Sequence, residues 1–112
     1  MNHISIVGRA GKDPEFKSFE SGTCLAEFSV AVNGFKKDEP PTWFNVKLWG
    51  KQAQVATDYL RKGNLVGISG EMKTEEWIDK NTGDKKSKWV LNASSMHLLE
   101  PKKQQQAVEA PF

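Results

Sequence analysis

A chain of 112 residues is enough for one domain with a single modest core. Its 38% apolar content contains no run long enough to cross a membrane as a helix, and no charged-then-apolar leader opens it, so neither a membrane protein nor a secreted one is expected. The net charge of +2 is too small to announce a polyanionic partner, so charge placement has to carry that question. One cysteine, Cys24, cannot make an internal disulfide; it reads as a small core residue in a reducing, cytoplasmic-type compartment.

Asn2 to Gly8 predicts a first strand, with Ile4 and Ile6 on one face and His3, Ser5 and Val7 on the other. Gly8 to Pro14, with two glycines and a proline, predicts a bend. Arg9 and Lys12 make that bend positive, which suits either a solvated turn or a phosphate contact. Phe16 and Phe19 flank Lys17 and Ser18 ahead of a turn at Glu20-Ser21-Gly22-Thr23. Cys24 to Val32 alternates cleanly and predicts a strand, with Cys24, Ala26, Phe28, Val30 and Val32 in one phase. Asn33 to Pro41 is a loop, because paired prolines cannot continue a ladder. Phe35 beside Lys36 and Lys37 suits a base-stacking platform or a loop anchor on the core.

Thr42 to Lys51 is the most informative stretch. Phe44, Val46 and Leu48 form an ordinary core face. The opposite phase holds Trp43, Asn45, Lys47 and Trp49, so two large aromatics stand on the polar side. Such rings are either covered by another surface or stacked on by a flat, polyanionic ligand, of which single-stranded nucleic acid is the prime candidate. Gly50 to Lys62 changes to three-and-four spacing (Ala53, Ala56 and Leu60, with Val55 and Tyr59) and predicts the chain's helix. Arg61 and Lys62 are expected in its last turn, Gly63 as its stop, and the stripe as core cover.

Leu65 to Asp79 predicts a strand whose core phase is Val66, Ile68, Met72 and Ile78, with Gly70 as a bulge or close-approach point. Its polar phase carries Ser69, Glu71, Lys73, Glu75 and Trp77, so a third tryptophan stands among charges. A turn around Asn81-Thr82-Gly83 predicts a long hairpin to Lys88–Leu99. Trp89 shares a phase with Leu91 and Ala93 and is assigned to packing. Residues 1–100 form the expected domain, and 101–112 read as a short flexible tail.

Catalytic chemistry has no visible constellation. His3 and His97 lie in different strands without metal-ligand spacing, and no phosphate cradle or nucleophile elbow occurs. No enzyme, cofactor or metal is therefore expected. The order of elements suggests an all-β fold, a five-stranded Greek-key OB barrel with one short helix between strands 3 and 4, with a small open β-sheet domain as the rival on pattern alone.

The motifs in series then resemble one family, over roughly residues 2 to 99. Ile6-Val7-Gly8-Arg9-Ala10-Gly11-Lys12-Asp13-Pro14-Glu15, Trp43-Phe44-Asn45-Val46-Lys47-Leu48-Trp49-Gly50-Lys51-Gln52-Ala53, Ala56-Thr57-Asp58-Tyr59-Leu60-Arg61-Lys62-Gly63 and Val66 to Trp77 are similar to the bacterial-type single-stranded DNA-binding proteins. The resemblance implies sequence-independent binding and protection of single-stranded DNA in replication, recombination and repair, in the cytoplasm on the nucleoid. It also implies a homotetramer. Base stacking falls on Trp43, Trp49 and Trp77, with Trp49 where the family often has phenylalanine. A fourth stacking position lands on or near Lys36, where Phe35 could substitute. Phosphate contacts fall on Lys51, Lys62 and Lys73, joined on the residues' own pattern by Arg9 and Lys47. Glu75 and Glu76 depart from positions that are often basic. The family's acidic partner-docking tail is reduced here to Glu109 and the tip Pro111-Phe112, through which replication and repair proteins would dock.

Overall fold

The alternating segments do become strands, and non-local pairing decides how far each one runs. The computed structural model describes residues 1–34 and 36–99. In chain order these are β1 (Ile4–Ala10), β2 (Glu15–Ser18), β3 (Cys24–Val32), β4 (Thr42–Trp49), α1 (Lys51–Tyr59), β5 (Leu65–Ile78) and β6 (Lys85–Leu98). The sheet order is β1-β5-β6-β4-β3-β2, and a further β1–β3 pairing at Arg9↔Ala31 and Ala10↔Val30 closes the ring. Five strands thus form a closed barrel, with β2 appended along the outer part of β3. Counted without β2, the helix lies between the third and fourth strands, the arrangement of an OB barrel. All pairings are antiparallel except β4 with β6, which run parallel across Val46↔Leu91, Lys47↔Asn92 and Leu48↔Ala93.

The core follows the alternation, except that Leu25 and Val90 of the opposite phase are buried as well. Ala26, Phe28 and Val30 from β3, Val46 and Leu48 from β4, Val66 and Ile68 from β5 and Leu91 from β6 are all buried together. Ala53, Ala56 and Leu60 from the helical segment cover one end of the barrel. Removing these side chains from water drives folding, at about 1.5–3 kcal/mol for each large one.

Five expectations change. β2 was not predicted as a strand: all four of its residues are exposed, so it has no alternation to read, and it exists through its pairing with β3. Gly8, expected to break the first strand, lies inside β1, where a Cβ would collide with the Ala31 carbonyl; its bare backbone lets β1 close on β3. The helix stops at Tyr59, and Leu60 is already extended (φ −83, ψ 133), so Arg61 and Lys62 lie beyond the last turn. Arg61 still serves the helix end: its guanidinium donates to the carbonyls of Thr57 (2.9 Å) and Leu60 (2.7 Å), which would otherwise lack helical donors. The apolar stripe is also narrower than expected, since Val55 and Tyr59 are exposed.

The last expectation to change concerns the hairpin. β4 holds β6 only at residues 91–93, while β5 and β6 stay paired out to Ile78↔Lys85. The hairpin therefore overhangs the barrel. Ile78 (60% exposed) and Trp89 (62% exposed), assigned to the core by their phase, point to the correct side of the strand but have no barrel beneath them. The predicted irregularity at Gly70 is present: the register slips after Ser69, and a Cβ on Gly70 would strike the Asn92 carbonyl.

Candidate nucleic-acid interface

The outward phase of the barrel carries the candidate site. On β4, Trp43, Asn45, Lys47 and Trp49 stand opposite Ala31, Ser29, Glu27 and Leu25 of β3. The Lys47–Asn92 and Asn92–Glu71 rungs carry that face across β6 onto β5, whose period-2 alternation then places Lys73, Glu75 and Trp77 on it. The 2.7 Å ion pair between Lys47 Nζ and Glu75 Oε2 confirms that the two strands present one surface. Trp43, Trp49 and Trp77 are 57%, 41% and 44% exposed, so none is a core residue.

Each ring is held differently. Trp43 lies over Gly11, where a Cβ would run into the ring. Trp49 donates its indole N–H to Asn92 Oδ1 at 2.8 Å and stacks on Phe19 at 6.4 Å between centroids with 26° between planes. That fixes the indole while leaving part of its surface open. Trp77 has the Lys88 ammonium 5.9 Å from its ring centroid, a cation–π contact from the directly adjacent strand. Rigid, partly exposed aromatic faces are what base stacking requires.

The cations divide into two groups. Lys51 opens α1 next to Trp49, and Lys73 is exposed on the aromatic face; with Lys62, these side chains form no ion pair among the described residues. Lys47 is different. It is 18% exposed and held between Glu75 (2.7 Å) and Glu27 (4.0 Å), so the site residue expected to meet phosphate is already neutralised within the chain. Glu27 also pairs with Lys17 at 2.7 Å. That hydrogen bond, above all, holds the Glu27 carboxyl below its ordinary range, helped by the charges of Lys47 and Lys88. Between these groups lies a depression of ≈ 380 Å³, lined by Lys12, Lys17, Lys47 and Lys88 with Glu15 and Glu27. Lys12 was read only as a cation of the bend at residues 8–14, in a solvated turn or a phosphate contact, and Lys17 and Lys88 were not singled out in the sequence as site residues. Their signal was only a lysine near an aromatic, which is too common to select on.

The remaining predicted positions are spread. Arg9 donates to the Gly63 carbonyl at 2.9 Å, and the Lys62 backbone N–H donates to Asp13 Oδ1 at 2.8 Å. Both therefore sit where the 61–64 loop docks on the end of β1. Lys36 is exposed in the loop between β3 and β4. Phe35, Pro111, Phe112 and the 101–112 segment lie outside the described residues. Among the described residues no polar or charged side chain is buried, and no three His, Cys, Asp or Glu residues converge on a metal site. No helix among them is long and apolar enough to cross a membrane.

The sequence that forms this barrel matches a known family. The model of the single-strand binding protein family covers residues 1–99. The chain belongs to that family. Within it, the chain is 48% identical over 105 residues to single-stranded DNA-binding protein 1 of Synechocystis sp., covering 92% of this chain and 87% of that protein. It is 46% identical over 103 residues to the single-stranded DNA-binding protein of Thermosynechococcus vestitus (92% of this chain, 86% of that one). A third family member, single-stranded DNA-binding protein 1 of Nostoc sp., is 38% identical over 112 residues, spanning all of this chain and 94% of the other. The family membership and the closed five-stranded ring agree on the OB barrel.

Proposed function

We propose that this protein binds single-stranded DNA largely without regard to sequence, and protects it during replication, recombination and repair. The observation that carries the reading is the sheet face on which Trp43, Trp49 and Trp77 stand exposed among lysines. Bases would stack on the three rings at about 1–3 kcal/mol each, while Lys51, Lys62 and Lys73, with Lys36 and Arg9 at the edges, follow the phosphates. Phe35 would extend the track along the β3–β4 loop. The names of the relatives agree with this ligand.

The protein would act in the cytoplasm on the nucleoid, without catalysis and as a homotetramer, with residues 1–100 as the binding domain. Support for self-association comes from a second outward face, built by Ser5 and Val7 of β1, Gly67 and Ser69 of β5 and Ser95 of β6. Apart from His97, which stands opposite Gly67, these positions are small and uncharged, and Val7 is 55% exposed, so the surface suits packing against a flat copy of itself. Assembly would let one strand wrap several barrels and gain avidity from modest sites. Docking of replication and repair proteins through Pro111 and Phe112 rests on the sequence resemblance alone.

Titration with poly(dT) tests the reading. Tryptophan fluorescence should be strongly quenched as bases stack on the rings, with a matching mobility shift. An unchanged signal with no shift would overturn it.

A further inference from the structure

The charges on the aromatic face are not scattered. Lys17 of β2, Glu27 of β3, Lys47 of β4 and Glu75 of β5 form an alternating row across four strands, with contacts of 2.7, 4.0 and 2.7 Å in that order. On β6, which lies between β4 and β5 in the sheet, Lys88 stands opposite Glu75 but turns its ammonium to the Trp77 ring and forms no ion pair with the row among the described residues. The row crosses β4 between Trp43 and Trp49 and crosses β5 one outward position before Trp77. Lys17, Glu27, Lys47 and Glu75 together carry no net charge, and Lys47 is the least exposed of them at 18%.

Folding alone does not account for such a row. Ion pairs at a solvated surface add little to stability. Its effect on a ligand is larger, because a phosphate approaching Lys47 meets two carboxylates first. The two forms of DNA differ in what they can offer this surface. A duplex keeps its base faces stacked inside and presents phosphates, so it binds mainly through counterion release at lysines. A single strand presents base faces, which the exposed tryptophans accept whatever the charge between them. Selectivity is a difference of affinities and is often set by a repulsive element aimed at the wrong partner.

We propose that Glu27 and Glu75 are specificity-determining residues that discriminate against double-stranded DNA, by neutralising Lys17 and Lys47 and by opposing phosphates at the centre of the aromatic face. The inference rests on the single-stranded DNA reading of that face and adds to it the reason two acidic side chains occupy its middle. Stacking is spared, while phosphate-driven binding is penalised.

The test measures the affinity of the full chain for a dT oligomer and for a blunt duplex across a salt series, for the parent, E75Q, E27Q/E75Q and E76Q. In E27Q/E75Q the duplex should bind about tenfold or more tightly at low salt, with a change of about threefold or less for dT. Two released lysines should steepen the duplex salt slope by roughly 2. E75Q alone should move the same ratio in the same direction by a smaller factor, and it serves if the double variant does not fold by circular dichroism. E76Q removes the same charge one residue away, where Glu76 pairs with Lys85 outside the row (3.1 Å), and should shift both DNA forms alike. A duplex-to-single-strand ratio unchanged in both Glu75 variants overturns the inference, as does an equal shift of that ratio in E76Q. A parent that fails to bind dT at all overturns the reading of the face itself, a result distinguishable from a parent that binds dT while its variants keep their selectivity.

Discussion

The barrel presents two outward faces made by the same rule and furnished for different ends. Around β3, β4 and the hairpin, the outward positions are tryptophans and paired charges (Trp43, Lys47, Trp49, Glu75, Trp77). Around β1 and the near ends of β5 and β6, they are mostly small (Ser5, Val7, Gly67, Ser69 and Ser95), with His97 opposite Gly67 and Arg9 at the end of β1, and the Ser69 and Ser95 hydroxyls are bonded at 2.7 Å. A period of two leaves both sets facing out. Rings set among charges suit a ligand that brings both base faces and phosphates; small, uncharged side chains suit a second flat protein surface. A polar strand phase is thus not one category, and its side-chain sizes and charge pairing distinguish the two proposed uses.

The comparison breaks most visibly on the plain face. Val7→Lys keeps an exposed position exposed, so the barrel should fold, but it sets like charges against each other in a symmetric contact. Self-association should weaken about a hundredfold or more, read as a fall in mass by light scattering, since facing like charges cost several kcal/mol. Binding of a dT oligomer short enough for one barrel should persist; an unchanged mass would remove this face from the assembly. On the aromatic face, Trp43→Ala or Trp77→Ala should weaken dT binding about tenfold each, from the stacking of one base. Thermal stability should stay within about 1 kcal/mol of the parent, because both rings are largely exposed. A collapse of the fold in either variant would place that ring in the protein's own packing instead.

A smaller effect separates stacking from charge on the same face. Lys73→Ala should flatten the salt dependence of dT binding by about 0.7, one phosphate's share on a single strand, with little change in fluorescence quenching. An unchanged slope would take Lys73 out of the phosphate track. The smallest effect is in pH. The Lys17 hydrogen bond holds the folded Glu27 carboxyl below its ordinary 4.5. Its contribution to stability is therefore fully present above that value and is lost as pH falls through the lower, folded one. The parent should lose no more than about 1 kcal/mol from this source on acidification below 4.5, and E27Q should lack that component of the decline in thermal melts.

Much of the fold was legible because most of it is local pattern. β3 runs from Cys24 to Val32 as its alternation predicts, the outward phase of β4 carries Trp43 and Trp49, and Gly70 stands at the register slip. β2 was not legible, since four exposed residues leave no periodicity, and neither was the early end of α1, where Leu60 turns into extended chain to fill the core. Trp89 shows the limit most clearly. Its phase with Leu91 was read correctly, yet Leu91 is buried and Trp89 is the most exposed tryptophan.

The order of side chains along the chain by itself determined which residues share a face, where the helix falls and which family the motifs resemble, because strand and helix periods are set by backbone geometry within a few residues. Only the tertiary structure decided what lies over each face. The hairpin leaves the barrel where β4 stops pairing with β6, which exposes Trp89 and Ile78. Lys47 meets Glu75 from a strand 28 residues away, which turns an expected phosphate ligand into the centre of a neutral row. Burial and ion pairing depend on which distant strands become neighbours, and a local period holds no information about that.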